Sequence, residues 1–179
     1  MKKMRLIACA LAIASFGFTV TSCDDDEDPV YYPTDLGIAG TYNLTAVNTG
    51  NPTDFNEDGT ENENQILESS CYTGSRIILN ADGTFVYDIR QILVDTGSGS
   101  SACDDYTVLG TWVLEGGTGT SAVLTLNYED ENGDDIEATV NKTGGQLQIY
   151  SLIAQYPDRN AEGGAYYAIG ELELLFTKQ

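Results

Sequence analysis

The sequence predicts an all-β protein, an eight-stranded antiparallel up-and-down barrel, on the strength of two observations. From Ala39 onward, short runs rich in β-branched and aromatic residues alternate with Gly, Asn and Asp, and no segment keeps helical spacing. Apolar and polar side chains alternate along these runs, as expected when one face of a sheet is buried. Eight such strands can close on themselves and remove both exposed edges. A two-sheet β-sandwich is the alternative, because alternation alone does not distinguish the two folds.

Eight segments follow this pattern, and most of them are joined by tight turns. The turns "ADG", "EDENGDD" and "KTGG" supply the Gly and Asn-Gly steps that hairpins require. The longer connections are a polar segment that ends at Ser70, the stretch "DTGSGSSACDD", and the loop from Ala154 to Ala165. The predicted strands are residues 40–47, 75–80, 84–94, 106–115, 122–129, 135–142, 146–153 and 168–178.

The alternation assigns one face of each strand to the interior. The first strand, for example, places Tyr42, Leu44 and Ala46 on one face. The inward aromatic residues are candidate walls of a ligand cavity, although aromatic residues on an inner face more often belong to a solid core. These candidate cavity residues are Tyr42, Tyr87, Trp112 and Tyr128. The other predicted inward residues are Phe85, Ile89, Leu114, Leu124, Leu126, Ile136, Ala138, Val140, Leu172, Leu174 and Phe176.

The chain begins with a pattern typical of an exported lipoprotein. Lys2, Lys3 and Arg5 precede an apolar run of fifteen residues, Leu6–Val20, which is too short to span a bilayer core of about 30 Å. The run ends in "VTSC", which resembles the lipobox of bacterial lipoproteins. The resemblance implies that residues 1–22 are a signal peptide that is removed and that Cys23 receives the lipid. Its hydrocarbon chains would supply about the two signals that stable attachment to a membrane needs.

Five acidic residues, Asp24–Asp28, follow the lipidation site. They repel one another and keep the segment solvated, so residues 23–35 read as a tether ahead of a single domain over residues 36–179. Acids directly after the lipidated cysteine resemble the export signal that sends some Gram-negative lipoproteins to the cell surface. That resemblance implies an outer-membrane protein that faces the cell exterior, and a plain solvated tether is the alternative.

The net charge of −20 and the lack of histidine argue against nucleic-acid binding and against histidine-dependent catalysis. Removal of the signal peptide takes away three positive charges and no negative ones, so the mature chain carries −20 − 3 = −23. Such a surface repels phosphate backbones, which argues against nucleic acid as a partner. The chain also has no histidine, which excludes Ser-His-Asp triads and histidine-ligated zinc. We therefore nominate no catalytic residue and predict that the protein is not an enzyme, with a two-carboxylate glycosidase as a remote option.

Two cysteines, Cys71 and Cys103, remain in the mature chain. In an exported protein they are predicted to form a disulfide. The bond would close a loop of about thirty residues and stabilise the fold by roughly 3 to 4 kcal/mol in the chain-entropy model.

The segment "DFNEDGTENENQ", residues 54–65, is a candidate calcium loop. It has the D-x-N-x-D-G opening of an EF-hand-type loop, with Gly59 at the sharp turn. Its twelfth residue is Gln65, where a bidentate carboxylate is expected, so the predicted affinity is weak; a metal-free acidic turn is the alternative. The candidate ligands are Asp54, Asn56, Asp58, Thr60 and Asn62.

Three tyrosines surround the loop from Ala154 to Ala165: Tyr156, Tyr166 and Tyr167. They are candidates for the mouth of a binding site, where their rings could stack on a sugar.

Several of these segments occur in an order that resembles a known family. "GIAGTYNLTAV", "DFNEDG", a cysteine, "RIILNADGTFVYD", a second cysteine, "GTWVLEGG" and "AVLTL" are similar to the lipocalin-like domain of bacterial surface lipoproteins, over residues 36–150. Tyr42 departs from the Trp usual in the family's opening Gly-x-Trp. The resemblance implies a lipid-anchored up-and-down barrel.

These observations lead to two functional hypotheses of different class. The first is a lipid-anchored, surface-displayed module that binds a small ligand or glycan. The second is a structural or interaction protein of the bacterial envelope with a solid barrel, whose loops contact another envelope protein.

Overall fold

The computed structural model describes residues 37–130 and 133–179. The predicted signal peptide, the lipidation site Cys23 and the acidic tether lie outside these residues. In the described part of the chain, no helix is long and apolar enough to cross a bilayer.

Nine strands and one short helix make up the described chain. The helix is α1 (Gln65–Glu68), and a 3₁₀ turn at Ser70–Tyr72 follows it. The helix lies in the segment that the sequence predicted to be a polar loop, and the 3₁₀ turn begins at Ser70, where that predicted loop ends. The strands are β1 (Gly40–Thr53), β2 (Asn62–Asn64), β3 (Arg76–Leu79), β4 (Thr84–Asp95), β5 (Ser100–Thr118), β6 (Ser121–Glu129), β7 (Asp135–Thr143), β8 (Gln146–Arg159) and β9 (Ala165–Lys178).

The strands form one antiparallel sheet that closes on itself. From β3 to β9 each strand pairs with the next along the chain, and β1 pairs with both β3 and β9. The β1–β9 ladder runs from the Tyr42–Lys178 pair to the Thr49–Leu172 pair. The short strand β2 adds to the same edge of β1 beyond β3. The predicted eight-stranded antiparallel barrel is therefore confirmed, and the sandwich alternative is wrong because the first and last strands pair.

The two ends of the barrel differ. We call the end that holds the turns at residues 80–83, 119–120 and 144–145 the base. The opposite end, with loops 54–61, 96–99 and 160–164, is the mouth. The base is packed with fully buried side chains. Trp112 Nε1 donates to the Asn80 carbonyl at 2.9 Å, and the Tyr42 hydroxyl donates to the Ile38 carbonyl at 2.5 Å. Burial raises the pKa of Tyr42 to about 12.

A β-bulge in β1 changes which residues face inward. The register of the β1–β9 ladder shifts between Leu44 and Ala46. Tyr42 is buried below the bulge, whereas Val47 and Thr49 are buried above it. The prediction that Ala46 faces inward is therefore wrong, because the extra residue of a bulge reverses the alternation beyond it.

Two hairpins extend to the mouth beyond their predicted lengths. The stretch "DTGSGSSACDD" contains the ends of β4 and β5, and β8 and β9 use most of the predicted loop 154–165, which leaves only residues 160–164 as a connection. The two hairpin tips meet where the Ala165 N–H donates to the Gly99 carbonyl at 2.8 Å. Pro157 lies within β8, and this position is tolerated because an edge strand needs no donor on its free side.

The barrel wall is incomplete near the mouth between β7 and β8. The two strands pair only through residues 141–143 of β7 and 146–148 of β8. By contrast, all nine residues of β7 pair with β6. The segment 135–140 of β7 therefore has one free edge in the described structure.

Gly110 of β5 lies where no side chain fits, which gives a direct test of this packing. A Cβ there would lie 2.2 Å from the Asn127 carbonyl oxygen and 2.7 Å from Cε1 of Phe85. We expect Gly110→Ala to destabilise the protein by about 2 to 4 kcal/mol, measured from denaturant midpoints. Gly116→Ala in the same strand is the matched control: its Cβ meets nothing within 4 Å, so its effect should stay within about 0.5 kcal/mol. Equal losses in the two variants would contradict this packing.

Candidate functional site

A cavity of about 150 Å³ lies in the mouth half of the barrel. Below it, the base core is filled by residues such as Trp112 and Phe176. Around it, a second buried cluster contains Val47, Tyr72 and Ile92. Its walls come from β1, β4, β8, β9 and the 3₁₀ turn. The lining residues are Leu44, Val47, Tyr72, Ser75, Tyr87, Ile89, Arg90, Gln91, Ile92, Gln155, Tyr156, Pro157, Tyr167, Leu172 and Leu174.

Four tyrosines dominate the polar part of this lining: Tyr72, Tyr87, Tyr156 and Tyr167. The sequence nominated three of them, Tyr87 as a cavity residue and the other two as mouth residues. Tyr72 was missed because it lies between the predicted polar loop, which ends at Ser70, and the predicted strand 75–80. Its position directly after Cys71 is the signal that could have identified it, since the disulfide fixes that segment against β5.

The hydroxyl groups of these tyrosines differ in their bonding. The Tyr167 hydroxyl accepts the Val94 N–H at 3.0 Å. The hydroxyls of Tyr72, Tyr87 and Tyr156 have no hydrogen-bond partner among the described residues. Each of these three oxygens keeps some solvent-accessible surface. Burial raises the pKa of Tyr72 and of Tyr87, so both phenols are neutral near pH 7. A neutral phenol can both donate and accept a hydrogen bond.

The cavity lining contains no carboxylate, although the protein is very acidic. The chain has 28 Asp and Glu residues, yet none of them lines the cavity in the described structure. The one charged residue of the lining is Arg90. The cavity consequently lacks the carboxylate pair that glycoside hydrolysis uses.

The other aromatic candidates lie elsewhere. Tyr42 and Trp112 are fully packed at the base and do not line the cavity. The Tyr128 ring packs edge-to-face on Phe85, with ring centroids 6.0 Å apart. The exposed Tyr166 does not line the cavity, and its hydroxyl donates to Asp158 Oδ2 at 2.9 Å across the β8–β9 hairpin. Of the seven aromatic residues predicted for the cavity or its mouth, the structure therefore places three in the cavity lining: Tyr87, Tyr156 and Tyr167.

The predicted disulfide is confirmed between Cys71 and Cys103, whose Cα atoms are 5.1 Å apart. It joins the 3₁₀ turn to the mouth half of β5. Because Tyr72 is the next residue, the disulfide also holds one wall of the cavity in place.

Arg159 ties three segments together at the mouth. Its Nε donates to the Phe55 carbonyl at 2.7 Å, and its Nη1 donates to the Gly163 carbonyl at 2.6 Å. The guanidinium carbon lies 4.7 Å from the centroid of the Phe55 ring, and Glu57 Oε2 lies 3.8 Å from Nε. The acidic loop is therefore attached to the β8–β9 hairpin that covers the cavity.

The acidic loop turns its carboxylates toward its own backbone. Asp54 Oδ1 accepts the Asp58 N–H and its Oδ2 accepts the Gly59 N–H, both at 3.0 Å. Asp58 Oδ1 accepts the Thr60 N–H at 2.8 Å. Gly59 has a φ of 86°, as the predicted sharp turn requires. No three Asp, Glu, His or Cys side chains lie close enough to hold a metal ion between them in the described residues.

A buried carboxylate of α1 faces this loop. Glu68 is 3% exposed and accepts the Asn56 N–H at 3.3 Å and the Asn62 side-chain amide. Neither ion pair of the described residues involves it. Buried carboxylates without a cation are uncommon because desolvation disfavours the charge. Sequence reasoning missed Glu68 because it lies beyond the twelve-residue motif, in a helical turn that no periodicity predicted.

The residue at the motif's twelfth position has an unsatisfied acceptor. Gln65 is fully buried, and its Nε2 donates to Thr53 Oγ1 at 2.5 Å, across the neck of the loop. Its Oε1 has no partner, and it is the one such buried side-chain atom of the described residues. An unpaired buried acceptor costs about 1 to 3 kcal/mol.

No family model matches the chain, and neither curated proteins nor solved structures give a match. The fold and the site therefore define the class: an eight-stranded antiparallel β-barrel with a tyrosine-lined interior cavity. The likeness to lipocalin-like lipoproteins stays a resemblance of sequence segments.

Proposed function

We propose that this protein is a lipid-anchored binding module of the bacterial cell surface and that its barrel holds one small neutral ligand. The cavity is the observation that carries the proposal, because an eight-stranded barrel with a filled interior would have no place for a ligand. The lipobox-like "VTSC" and the acidic run after Cys23 support the anchor and the outward-facing location.

The lining of the cavity supports a ligand with one apolar ring and few polar groups. Six aliphatic side chains contribute to it, so a ligand that is polar on every side would lose hydrogen bonds there. The free hydroxyls of Tyr72, Tyr87 and Tyr156 can bond one or two polar groups. An engineered apolar cavity of about 150 Å³ holds benzene, which sets the size. A phenol or an aromatic alcohol fits this description better than a monosaccharide.

A structural or interaction protein without a small ligand is the alternative function. The Arg159 contacts and the disulfide support it, because they order the mouth loops whether or not the cavity is filled. Neither function requires the protein to be an enzyme.

We further propose that the acidic loop binds calcium weakly. Two observations support this proposal: the buried Glu68 carboxylate has no cation partner among the described residues, and Gln65 Oε1 has no hydrogen-bond partner. Carboxylate and amide oxygens are the ligands that calcium takes. Glu68 would then replace the carboxylate that the motif lacks at its twelfth position. Asp54, Asn56, Asp58, the Thr60 carbonyl and Asn62 would supply the other oxygens after the carboxylates of Asp54 and Asp58 turn from the backbone N–H groups toward the cation.

The cavity proposal predicts binding of a ring compound. We expect millimolar phenol to raise the melting temperature of the mature protein, and millimolar glucose to leave it unchanged. Leu172→Trp fills the cavity and should abolish the rise, whereas Leu109→Trp, at a position 69% exposed outside the cavity, should preserve it. Native mass spectrometry of protein purified from membranes should show a retained small molecule. No retained mass and no effect of phenol would favour the alternative function.

The anchor proposal predicts the location of two variants. Cys23→Ser should leave unlipidated protein that fractionates away from the membrane, whereas the control Cys9→Ser, within the predicted signal peptide, should remain anchored. Replacement of Asp24–Asp28 by alanine should move the protein from the surface to the periplasm, where external protease cannot reach it. Membrane association of Cys23→Ser would contradict the lipidation, and unchanged protease sensitivity would reduce the acids to a tether.

The calcium proposal predicts metal-dependent stability. At ten times its dissociation constant, calcium at one site should add about 1.4 kcal/mol to the free energy of unfolding. Asp54→Ala with Asp58→Ala, and separately Glu68→Gln, should remove the calcium-dependent rise in melting temperature. Asp105→Ala with Glu115→Ala removes two exposed acids elsewhere and should keep it. Identical wild-type melting curves in calcium and in chelator would show that the loop is a metal-free turn.

A further inference from the structure

The free edge of β7 is a second surface with recognition chemistry, separate from the cavity. Residues 135–140 pair with β6 on one side and with no strand on the other, in the described structure. Six residues of strand extend for about 20 Å. Unpaired N–H and C=O groups along such an edge are a template for another strand.

The facing strand, β8, is protected against pairing, but β7 is not. In β8 the register shifts between Ser151 and Ala154, which is a bulge, and Pro157 lacks an N–H. Bulges and prolines both interrupt an edge. The β6–β7 ladder is regular over all nine residues, and β7 contains no proline.

The side chains of β7 specify the chemistry of a partner strand. Ile136 and Ala138 are partly buried on the inner face, whereas Asp135 and Glu137 are exposed on the outer face. Neither carboxylate belongs to an ion pair among the described residues. Residues 133–141 contain no Lys or Arg. Lys142, which follows, is buried, and its Nζ donates to the carbonyls of Gly119 and Gly144 at the base.

Apolar side chains surround the inner side of the gap and its β8 border. Ile149 of β8 packs on the base core. Leu152 and Ile153, in the bulge, are 67% and 80% exposed, and Tyr150 is 47% exposed. In a strand paired with β7, every second side chain would lie beside Ile136 and Ala138 on the inner face of the sheet. The remaining side chains would lie beside Asp135 and Glu137 on the outer face.

We propose that the free edge of β7 binds an extended peptide segment of a partner protein in which basic and apolar residues alternate. Main-chain pairing supplies the affinity, and the alternation supplies the specificity. Opposite charges on directly opposed strand residues contribute about 0.2 to 1 kcal/mol per pair, and like charges oppose pairing. A second copy of this chain is therefore a poor occupant, because residues 133–141 carry only acidic charges and a β7–β7 pair would place no opposite charges across from each other.

The test uses capped eight-residue peptides with the purified mature protein. The first alternates Lys and Val. The second has the same composition with four Lys followed by four Val, so that its charge is matched but its alternation is lost. The third is the alternating peptide with N-methyl groups on every second residue, which blocks main-chain pairing and keeps the side chains. We expect the alternating peptide to bind at least tenfold more tightly than the other two, by calorimetry, and to protect the amides of residues 135–140 from hydrogen exchange.

Charge-reversal variants test where the peptide binds. Asp135→Lys with Glu137→Lys should weaken binding at least tenfold. Asp105→Lys with Glu115→Lys reverses two exposed acids on β5 and should change binding less than threefold. Circular dichroism and melting temperature establish that both variants are folded. Equal affinity for the block peptide, protection outside β7, equal effects of the two variants, or a dimer of the unliganded protein would each overturn the proposal.

Discussion

Closure of the sheet through the β1–β9 ladder is the constraint on which the rest of this structure depends. It pairs the edges that β1 and β9 would otherwise expose at the two ends of the eight-stranded meander. The same ladder contains the bulge after Leu44, so β1 changes its inward residues without losing its partner. In β4, the partly buried Ile89 packs against the base core, and Ile92 is buried in the second cluster. The cavity lies where the two clusters meet, and residues of both line it.

The base and the mouth are stabilised in different ways. The base relies on close packing, and its few buried polar groups bond to carbonyls, as the Trp112 indole does. The mouth relies on ties between loops: the Cys71–Cys103 disulfide and the Arg159 contacts. A packed core excludes ligands, whereas tied loops keep an opening in shape. One small barrel can therefore have a closely packed base and a cavity near its mouth.

The sequence predicted the barrel because alternation is a local property and eight segments displayed it. It did not predict the bulge in β1, since one extra residue leaves no compositional trace in "YNLTAV". The predicted end of β8 at residue 153 is six residues too early. Pro157 and the polar residues after it are typical of a loop, and only the pairing of Pro157 with Tyr167 shows that the strand continues. The cavity was only partly foreseen. Tyr87 follows from alternation, but the role of Tyr72 depends on a disulfide contact 32 residues away in the chain.

The strand that begins the barrel also sets how the domain carries mechanical load. The Lys178 ammonium donates to the Gly37 carbonyl at 2.6 Å, so the first described residue and the end of β9 meet at the base. Tension between residue 37 and a load at the mouth would run parallel to the strands. Hydrogen bonds of a ladder lie across the strand direction, so such tension would shear many of them together instead of opening them one by one. Tension between the two chain ends would instead separate β1 from β9 pair by pair. A domain held at its base and loaded at its mouth therefore resists force along its stronger axis.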